Sequence, residues 1–367
     1  MKTLILLLKT QDIGGAENVF FTIFSNLKKA NFLQFIFCLE SSQGEISKKA
    51  GKQGIQVFSQ FKSLFVFLSA ETAKSHSKEV NDILLISNGL RMLFIALCLK
   101  LKFKSVKIIF PVFWDTKKFN ALNVVFLIFF LPISFFCDLV LCNSSLARND
   151  LSRKFFWVKD RIKLLDNGID LKNINTNNIK KSYPSNNNFN IISISRLQKR
   201  KGFEQLISKS IPEVLKKFPN AKFNIIGKDF LDGKLQNIVL EKKLSKNVHF
   251  LGFVDDIEFF YREADLFILP SLFEGVPTVL LEAMSRKVPA LAFDAGGISE
   301  IYKYSETLSS ELLIPDADYN KFAHAIIRIL DSKVLRLSLG NDCQKNVFFN
   351  FSSIKMSDKF KELIQNA

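Results

Sequence analysis

Histidine is scarce and cysteine is unpaired in this chain, and each shortage closes off a chemistry. His76, His249 and His324 lie far apart, so no metal-ligand spacing is present and no metal is expected. The five cysteines, Cys38, Cys98, Cys137, Cys142 and Cys343, form no CxxC pair and sit mostly inside apolar runs. They read as buried thiols of a reducing compartment, which places the chain in the cytoplasm. Apolar runs long enough to span a membrane are lacking too. Val124 to Cys137 is shorter than a spanning helix and contains Pro132, so it reads as a buried or interface-lying segment. Thr3 to Leu8 follows Lys2, but it is too short for a signal peptide and has no small-residue cleavage site. No Lys/Arg-rich arm, zinc spacing or RNA-binding signature appears, so nucleic acid is not an expected partner.

What is abundant is apolar and basic. The 367 residues are too many for one ordinary core and fit two domains. With 48% hydrophobic residues each half can bury a core, which excludes general disorder. Lys and Arg number 51 against 35 Asp and Glu, a formal charge of +16. Phe, Lys, Ile and Asn are all frequent, so part of that charge reflects a compositional bias. The rest suits peripheral contact with an anionic membrane, at the inner face of the cytoplasmic membrane, because the N-terminal half also carries long aromatic and aliphatic runs.

Short apolar runs alternate with helical stretches from end to end, the pattern of parallel sheets wrapped in helices. The first half offers strands at Leu4–Leu8, Phe35–Leu39, Ile55–Phe58, Ile83–Ile86, Val106–Val112, Leu139–Cys142 and Ile162–Leu165. Between the first two, Val19, Phe20, Ile23, Phe24 and Leu27 share one helical face. Asn143-Ser144-Ser145 supplies a helix start. The Asn-rich stretch 173–188, with Pro184 and no apolar period, reads as an exposed connection. Beyond it come strands at Ile191–Ser195, Phe223–Ile226, Val248–Leu251, Leu266–Leu269 and Ala290–Phe293. Helices fit between them at Phe203–Phe218, Leu231–Leu244, Ile257–Ala264 and Pro277–Arg286. The expected domains are therefore 1–172 and 189–352, joined by the linker 173–188. A helix over 353–367 is expected to pack back on the first domain.

In open parallel sheets chemistry sits in the loops beyond the carboxyl ends of strands. Four such loops stand out. Gly14-Gly15-Ala16-Glu17 opens the first helix, as an anion-facing loop or a tight turn. Ser195-Arg196-Leu197, with Lys199-Arg200-Lys201-Gly202, places Arg196 and Lys201 five positions apart, able to hold one diphosphate or to form a solvated basic loop. Pro270-Ser271-Leu272-Phe273-Glu274-Gly275-Val276-Pro277 leads through Thr278 and Val279 to Glu282. From Pro277, Glu282 lies about 7.5 Å further along the helix axis. The two carboxylates suit the hydroxyls of a sugar and a ribose; the alternatives are an N-cap for Glu274 and a surface charge for Glu282. Asp294-Ala295-Gly296-Gly297 is another phosphate-facing loop or a required turn.

Taken in order, Gly14-Gly15-Ala16-Glu17, Asn167-Gly168-Ile169-Asp170, Ser195-Arg196-Leu197 with Lys201-Gly202-Phe203, the pair Glu274 and Glu282, and Gly296-Gly297 resemble the family-4 retaining glycosyltransferases, also called glycosyl transferases group 1. The resemblance implies an α/β GT-B fold, with two Rossmann-like domains whose parallel sheets face an interdomain cleft. The first domain would bind acceptor and the second the nucleotide sugar. It implies transfer of a sugar from a UDP- or GDP-sugar to an acceptor hydroxyl, in surface polysaccharide, lipopolysaccharide or lipid-linked glycan synthesis, with the anomeric configuration retained. No cofactor is implied, since the nucleotide sugar is a substrate, and no metal is required. Arg196 and Lys201 would neutralise the leaving diphosphate. Glu274 would hold donor-sugar hydroxyls and Glu282 the ribose. Gly275, Val276, Pro277, Thr278 and Val279 would line the donor, and Gly14 and Gly15 would let their loop close over it. The reaction would run on the donor's front face, a phosphate oxygen helping to take the acceptor proton.

One departure concerns a histidine that many relatives place beyond an N-terminal strand. The loop after Val112 reads Phe113-Trp114-Asp115, where Asp115 is a polar substitute or a helix cap. Asn88, Trp114 and Asp115 would lie near the acceptor or sugar. Two other readings remain. A nucleotide-sugar epimerase of the same fold would need an acid/base constellation that the few histidines do not favour. A non-catalytic nucleotide-sugar-binding protein would keep donor affinity without transfer.

Overall fold

The computed structural model describes residues 2–10, 15–27, 32–40, 44–74, 82–113, 135–172, 174, 188–254 and 256–366. Contacts divide the chain into two units, Met1–Gly168 with Ser353–Ala367, and Ile169–Ser352.

The first unit holds a seven-stranded sheet: β1 (Lys2–Leu8), β2 (Phe32–Cys38), β3 (Gln56–Phe58), β4 (Ile83–Ser87), β5 (Val106–Val112), β6 (Leu139–Cys142) and β7 (Ile162–Leu164). Its order is β3-β2-β1-β4-β5-β6-β7, with every neighbouring pair parallel. Side chains alternate across the sheet, so Ile5 and Leu7 enter one core while Leu4, Leu6 and Leu8 enter the other. Both faces are covered, which is why these strands read as unbroken apolar runs. Helix Gly15–Leu27 buries the face read from its sequence, and Phe21 besides. The helix Ser353–Gln365 lies on the same side, sending Met356, Phe360, Leu363 and Ile364 into that core. Lys2 Nζ donates to the Ile364 carbonyl at 2.8 Å, and Asn26 Nδ2 to the Ser353 carbonyl at 3.1 Å. Ser144 caps the helix Ser145–Lys154, its hydroxyl accepting from Ala147 N at 3.2 Å.

The second unit holds β8 (Asn190–Ile194), β9 (Lys222–Ile226), β10 (Val248–Gly252), β11 (Leu266–Leu269), β12 (Ala290–Phe293) and β13 (Leu313–Ile314). The order is β10-β9-β8-β11-β12-β13, again all parallel. The helix expected over Phe203–Phe218 contains a wide π turn, Leu206–Ser210, before its last segment, Ile211–Lys217. Pro212 explains it: its ring has no N–H to donate and clashes with an ordinary α turn behind it.

Two details depart from the sequence reading. Cys98 is exposed, on the outer side of helix Leu90–Lys102, whereas the other four thiols are buried. Most of the apolar stretch 124–137 lies outside the described residues; of it, Cys137 is buried and Phe135 and Phe136 are exposed. Among the described residues no helix is long and apolar enough to cross a membrane.

Candidate active site

In the second sheet β8 pairs with β9 on one side and with β11 on the other, so the strand order reverses between β8 and β11. Loops leaving adjacent strands at such a reversal diverge and leave a crevice beyond the carboxyl ends. The loop after β8 carries Arg196 and Lys201; the loop after β11 carries Glu274. Topology thus joins residues 73 positions apart.

Backbone hydrogen bonds hold both loops. Leu197 N donates to the Lys228 carbonyl at 2.8 Å, and Leu272 N to the Arg200 carbonyl at 2.9 Å. Gly202 follows with φ +74°, and a Cβ there would lie 2.0 Å from the Pro270 carbonyl oxygen. Only glycine accepts both the left-handed backbone and that approach. The Tyr319 hydroxyl donates to the Gly202 carbonyl at 3.2 Å. Gly296 has φ +70°, and Gly297 N donates to the Glu274 carbonyl at 3.0 Å. This second glycine pair therefore makes a turn that braces the acidic loop, with the Gly297 N–H engaged by the Glu274 carbonyl.

Within this frame the Lys201 ammonium and the Glu274 carboxylate form a buried ion pair, each residue 8% exposed. Arg200 adds a second cation, its Nη1 3.8 Å from the Glu274 carboxylate and 3.2 Å from the Phe273 carbonyl. Arg196 is exposed at the loop's start. Glu274 does not cap the helix; Pro277 occupies that position, with extended backbone. Gly275 is half-buried between Glu274 and the buried Val276.

Burial depresses the Lys201 pKa below its ordinary 10.5, and Arg200 and Arg196 push the same way against the opposing pull of Glu274. The consequence has two signs. Between the folded pKa and 10.5 the unfolded chain binds more protons, so this group raises stability as pH rises through that window. Any anion held by the ammonium is lost over the same window. Titrating nucleoside diphosphate affinity against pH should show a fall beginning below pH 10.5. In Lys201→Arg that alkaline limb should disappear, because guanidinium stays charged.

Glu282 lies on helix Thr278–Ser285, four residues past the half-buried Thr278. The Tyr261 hydroxyl donates to Glu282 Oε2 at 3.0 Å. Tyr261 is fully buried, and burial together with the Glu282 charge holds its pKa well above the ordinary value, so it remains a donor. Arg286 frames both: its guanidinium sits 4.9 Å from the Tyr261 ring centroid, and Nη1 donates to the Glu282 carbonyl at 2.9 Å. Its other edge pairs with Glu258, Nε to Oε2 at 2.8 Å. Sequence patterns do not single out Arg200, Tyr261 or Arg286 as site residues. Tyr261 precedes Glu282 by 21 positions, and no spacing rule links them.

In the first unit the reversal falls between β1 and β4. Gly15 opens its helix, and a Cβ there would meet nothing within 4 Å, so open space lies beside it. Asn88, just after β4, donates through Nδ2 to Glu17 Oε1 at 2.5 Å. Gly14, Trp114 and Asp115 lie outside the described residues. Asn167-Gly168-Ile169-Asp170 straddles the passage between units: Gly168 N donates to Met356 Sδ at 3.1 Å, and Ile169 N to the Phe351 carbonyl at 2.9 Å.

Two Rossmann-like units, each built on a parallel sheet, define the GT-B class, and the chain aligns with solved members over its whole length. It superposes on HepE of Anabaena, crystallised with UDP and glucose, at a TM-score of 0.78, with 19% identity and 100% of both chains covered. TarM of Staphylococcus aureus, in a complex with UDP, gives a TM-score of 0.76 at 15% identity, with 99% of both chains covered. Residues 175–346 match the family model described as glycosyl transferases group 1, and through them the chain resembles that family as its motifs imply. Among similar sequences is an Escherichia coli UDP-Gal:alpha-D-GlcNAc-diphosphoundecaprenol alpha-1,3-galactosyltransferase, 29% identical over 55% of this chain and 54% of its own. Another is a GDP-mannose-dependent phosphatidylinositol monomannoside mannosyltransferase of Corynebacterium glutamicum, 29% identical over 47% of this chain and 46% of its own. The match thus spans about half the length of these relatives.

Proposed function

We propose that this chain is a glycosyltransferase that moves a sugar from a UDP- or GDP-sugar to an acceptor hydroxyl in polysaccharide or lipid-linked glycan synthesis, retaining the anomeric configuration. The observation that carries the reading is the buried Lys201–Glu274 pair at the reversal of the second sheet, with Glu282 on the helix that follows. The donor diphosphate takes Lys201 from Glu274 and adds Arg196, so the charge on the leaving group is met without a metal. Glu274, released, accepts hydrogen bonds from the donor sugar. Glu282, oriented by Tyr261, accepts from the ribose. Retention follows from front-face attack, with a donor phosphate oxygen taking the acceptor proton. The relatives named above support the donor class, since their names specify UDP-Gal and GDP-mannose, and the former acts on a diphosphoundecaprenol acceptor.

A thermal-shift screen against nucleotide sugars tests this, because a ligand of the folded state raises its apparent stability. One or more UDP- or GDP-sugars should raise the midpoint, and the same compound should be consumed when a lipid-diphosphate-sugar acceptor is added. No shift with any nucleotide sugar, at millimolar ligand, would contradict the proposal.

A further inference from the structure

The first unit carries an exposed aromatic cluster that its core does not need. Residues Arg153 to Lys163 read Arg-Lys-Phe-Phe-Trp-Val-Lys-Asp-Arg-Ile-Lys. Phe155 and Val158 point inward and anchor the segment, while Phe156 and Trp157 face out, 67% and 36% exposed. Trp157 stacks on Phe135, with centroids 6.0 Å apart, and meets Phe156 edge-on at 5.1 Å. Arg161 Nη1 donates to the carbonyls of Phe135 and Cys137 at 3.0 and 3.1 Å, fixing the neighbouring turn on which Phe136 is also exposed. Lys100 Nζ reaches the Phe136 carbonyl at 2.9 Å and so ties in helix Leu90–Lys102. That helix in turn exposes Leu90, Phe94, Cys98 and Leu101, spaced so that they share its outer face.

The charges around the aromatics are of one predominant sign. Lys100, Arg153, Lys154, Lys159, Arg161 and Lys163 stand against Asp138, Asp150 and Asp160, a local excess of 6 − 3 = +3. Two of the carboxylates are already paired, Asp138 with Lys100 and Asp150 with Lys154. Soluble surfaces seldom gather this much aromatic area in one place. Trp and Phe flanked by Lys and Arg suit the headgroup layer of a bilayer, rings at acyl-chain depth and cations on phosphates.

We infer that the face built by Phe135, Phe136, Phe156 and Trp157 is the surface through which this chain docks on an anionic lipid bilayer. The inference deepens the proposed function, since it places the chain where a lipid-linked acceptor is found, but it stands on a different unit from the nucleotide site. Cosedimentation of the full chain with phosphatidylglycerol-containing vesicles tests it, beside neutral phosphatidylcholine vesicles. The chain should bind the anionic vesicles and lose them at high salt, and its Trp fluorescence should shift to the blue. Phe156→Ser with Trp157→Ser should weaken binding by about tenfold or more, since two exposed apolar anchors are removed. Lys159→Ala and Lys163→Ala should each cost about fivefold. The nucleotide-sugar thermal shift should be unchanged in all of them, so failure of docking and failure of the donor site read out separately. Equal binding by wild type and variants, or none to anionic vesicles, would overturn the inference. So would a concentration-dependent dimer that the Phe156→Ser, Trp157→Ser variant abolishes, because a second copy would then cover the face.

Discussion

Lys201→Ala is expected to lose nucleoside diphosphate affinity by about 100-fold or more, corresponding to roughly 3 kcal/mol of a hydrogen-bonded buried charge contact. Lys201 is 8% exposed, so a diphosphate meeting its ammonium does so largely out of water, where screening by salt is weak. Arg196, exposed at the start of the loop, cannot replace it, because an exposed cation contributes on the order of 1 kcal/mol or less. The free protein should remain folded, since Glu274 keeps the Arg200 guanidinium at 3.8 Å. Calorimetric titration with UDP and GDP on wild type and variant measures the loss. Glu282→Ala should weaken the same ligands while leaving inorganic pyrophosphate binding alone, because the role proposed for Glu282 is at the ribose.

Glu274→Ala is expected to act on stability more than Lys201→Ala does. Removing one member of a buried pair costs about 3–5 kcal/mol, and here the partner left behind is a cation beside two others, Arg200 and Arg196. The ammonium has an escape that a guanidinium lacks, which is to give up its proton. The Lys201 pKa is already depressed, and without Glu274 it falls further. Protons are then bound in excess by the unfolded chain over a wider window, so the variant should recover stability as pH rises toward 10.5. Scanning calorimetry of the second unit's transition at neutral and alkaline pH should show the deficit shrinking. Replacing both members, Lys201→Met with Glu274→Leu, should destabilise much less than either charge left alone. A deficit independent of pH would mean that packing, not an uncompensated ammonium, sets it.

The strands are legible because parallel strands covered on both faces are written as short unbroken apolar runs; all twelve expected from sequence are present, with ends moved by up to three residues. β13, of two residues, is too short to carry a pattern. Strand order is not legible, because it depends on which crossover turns back, and it is strand order that brings Lys201 to Glu274. The residue types of the site are readable from glycine, proline and charge, but their partners are not. Glu274 also admits the reading of a helix cap, and its engagement with Lys201 depends on a contact across 73 positions. Tyr261 has the sequence surroundings of a core aromatic, which it also is; its hydroxyl matters only because helix Glu258–Glu263 packs where Glu282 can be reached. Cys98 departs from its expected burial for a related reason, since an apolar neighbourhood in sequence does not say which side of a helix meets water.

A crystal structure of the chain with an intact nucleotide sugar goes to the centre of the account. The diphosphate should lie against the Lys201 ammonium and the Arg196 guanidinium, with the ribose hydroxyls on Glu282 and the Lys201–Glu274 pair opened toward the sugar. A nucleotide bound elsewhere, with that pair still closed, would contradict it.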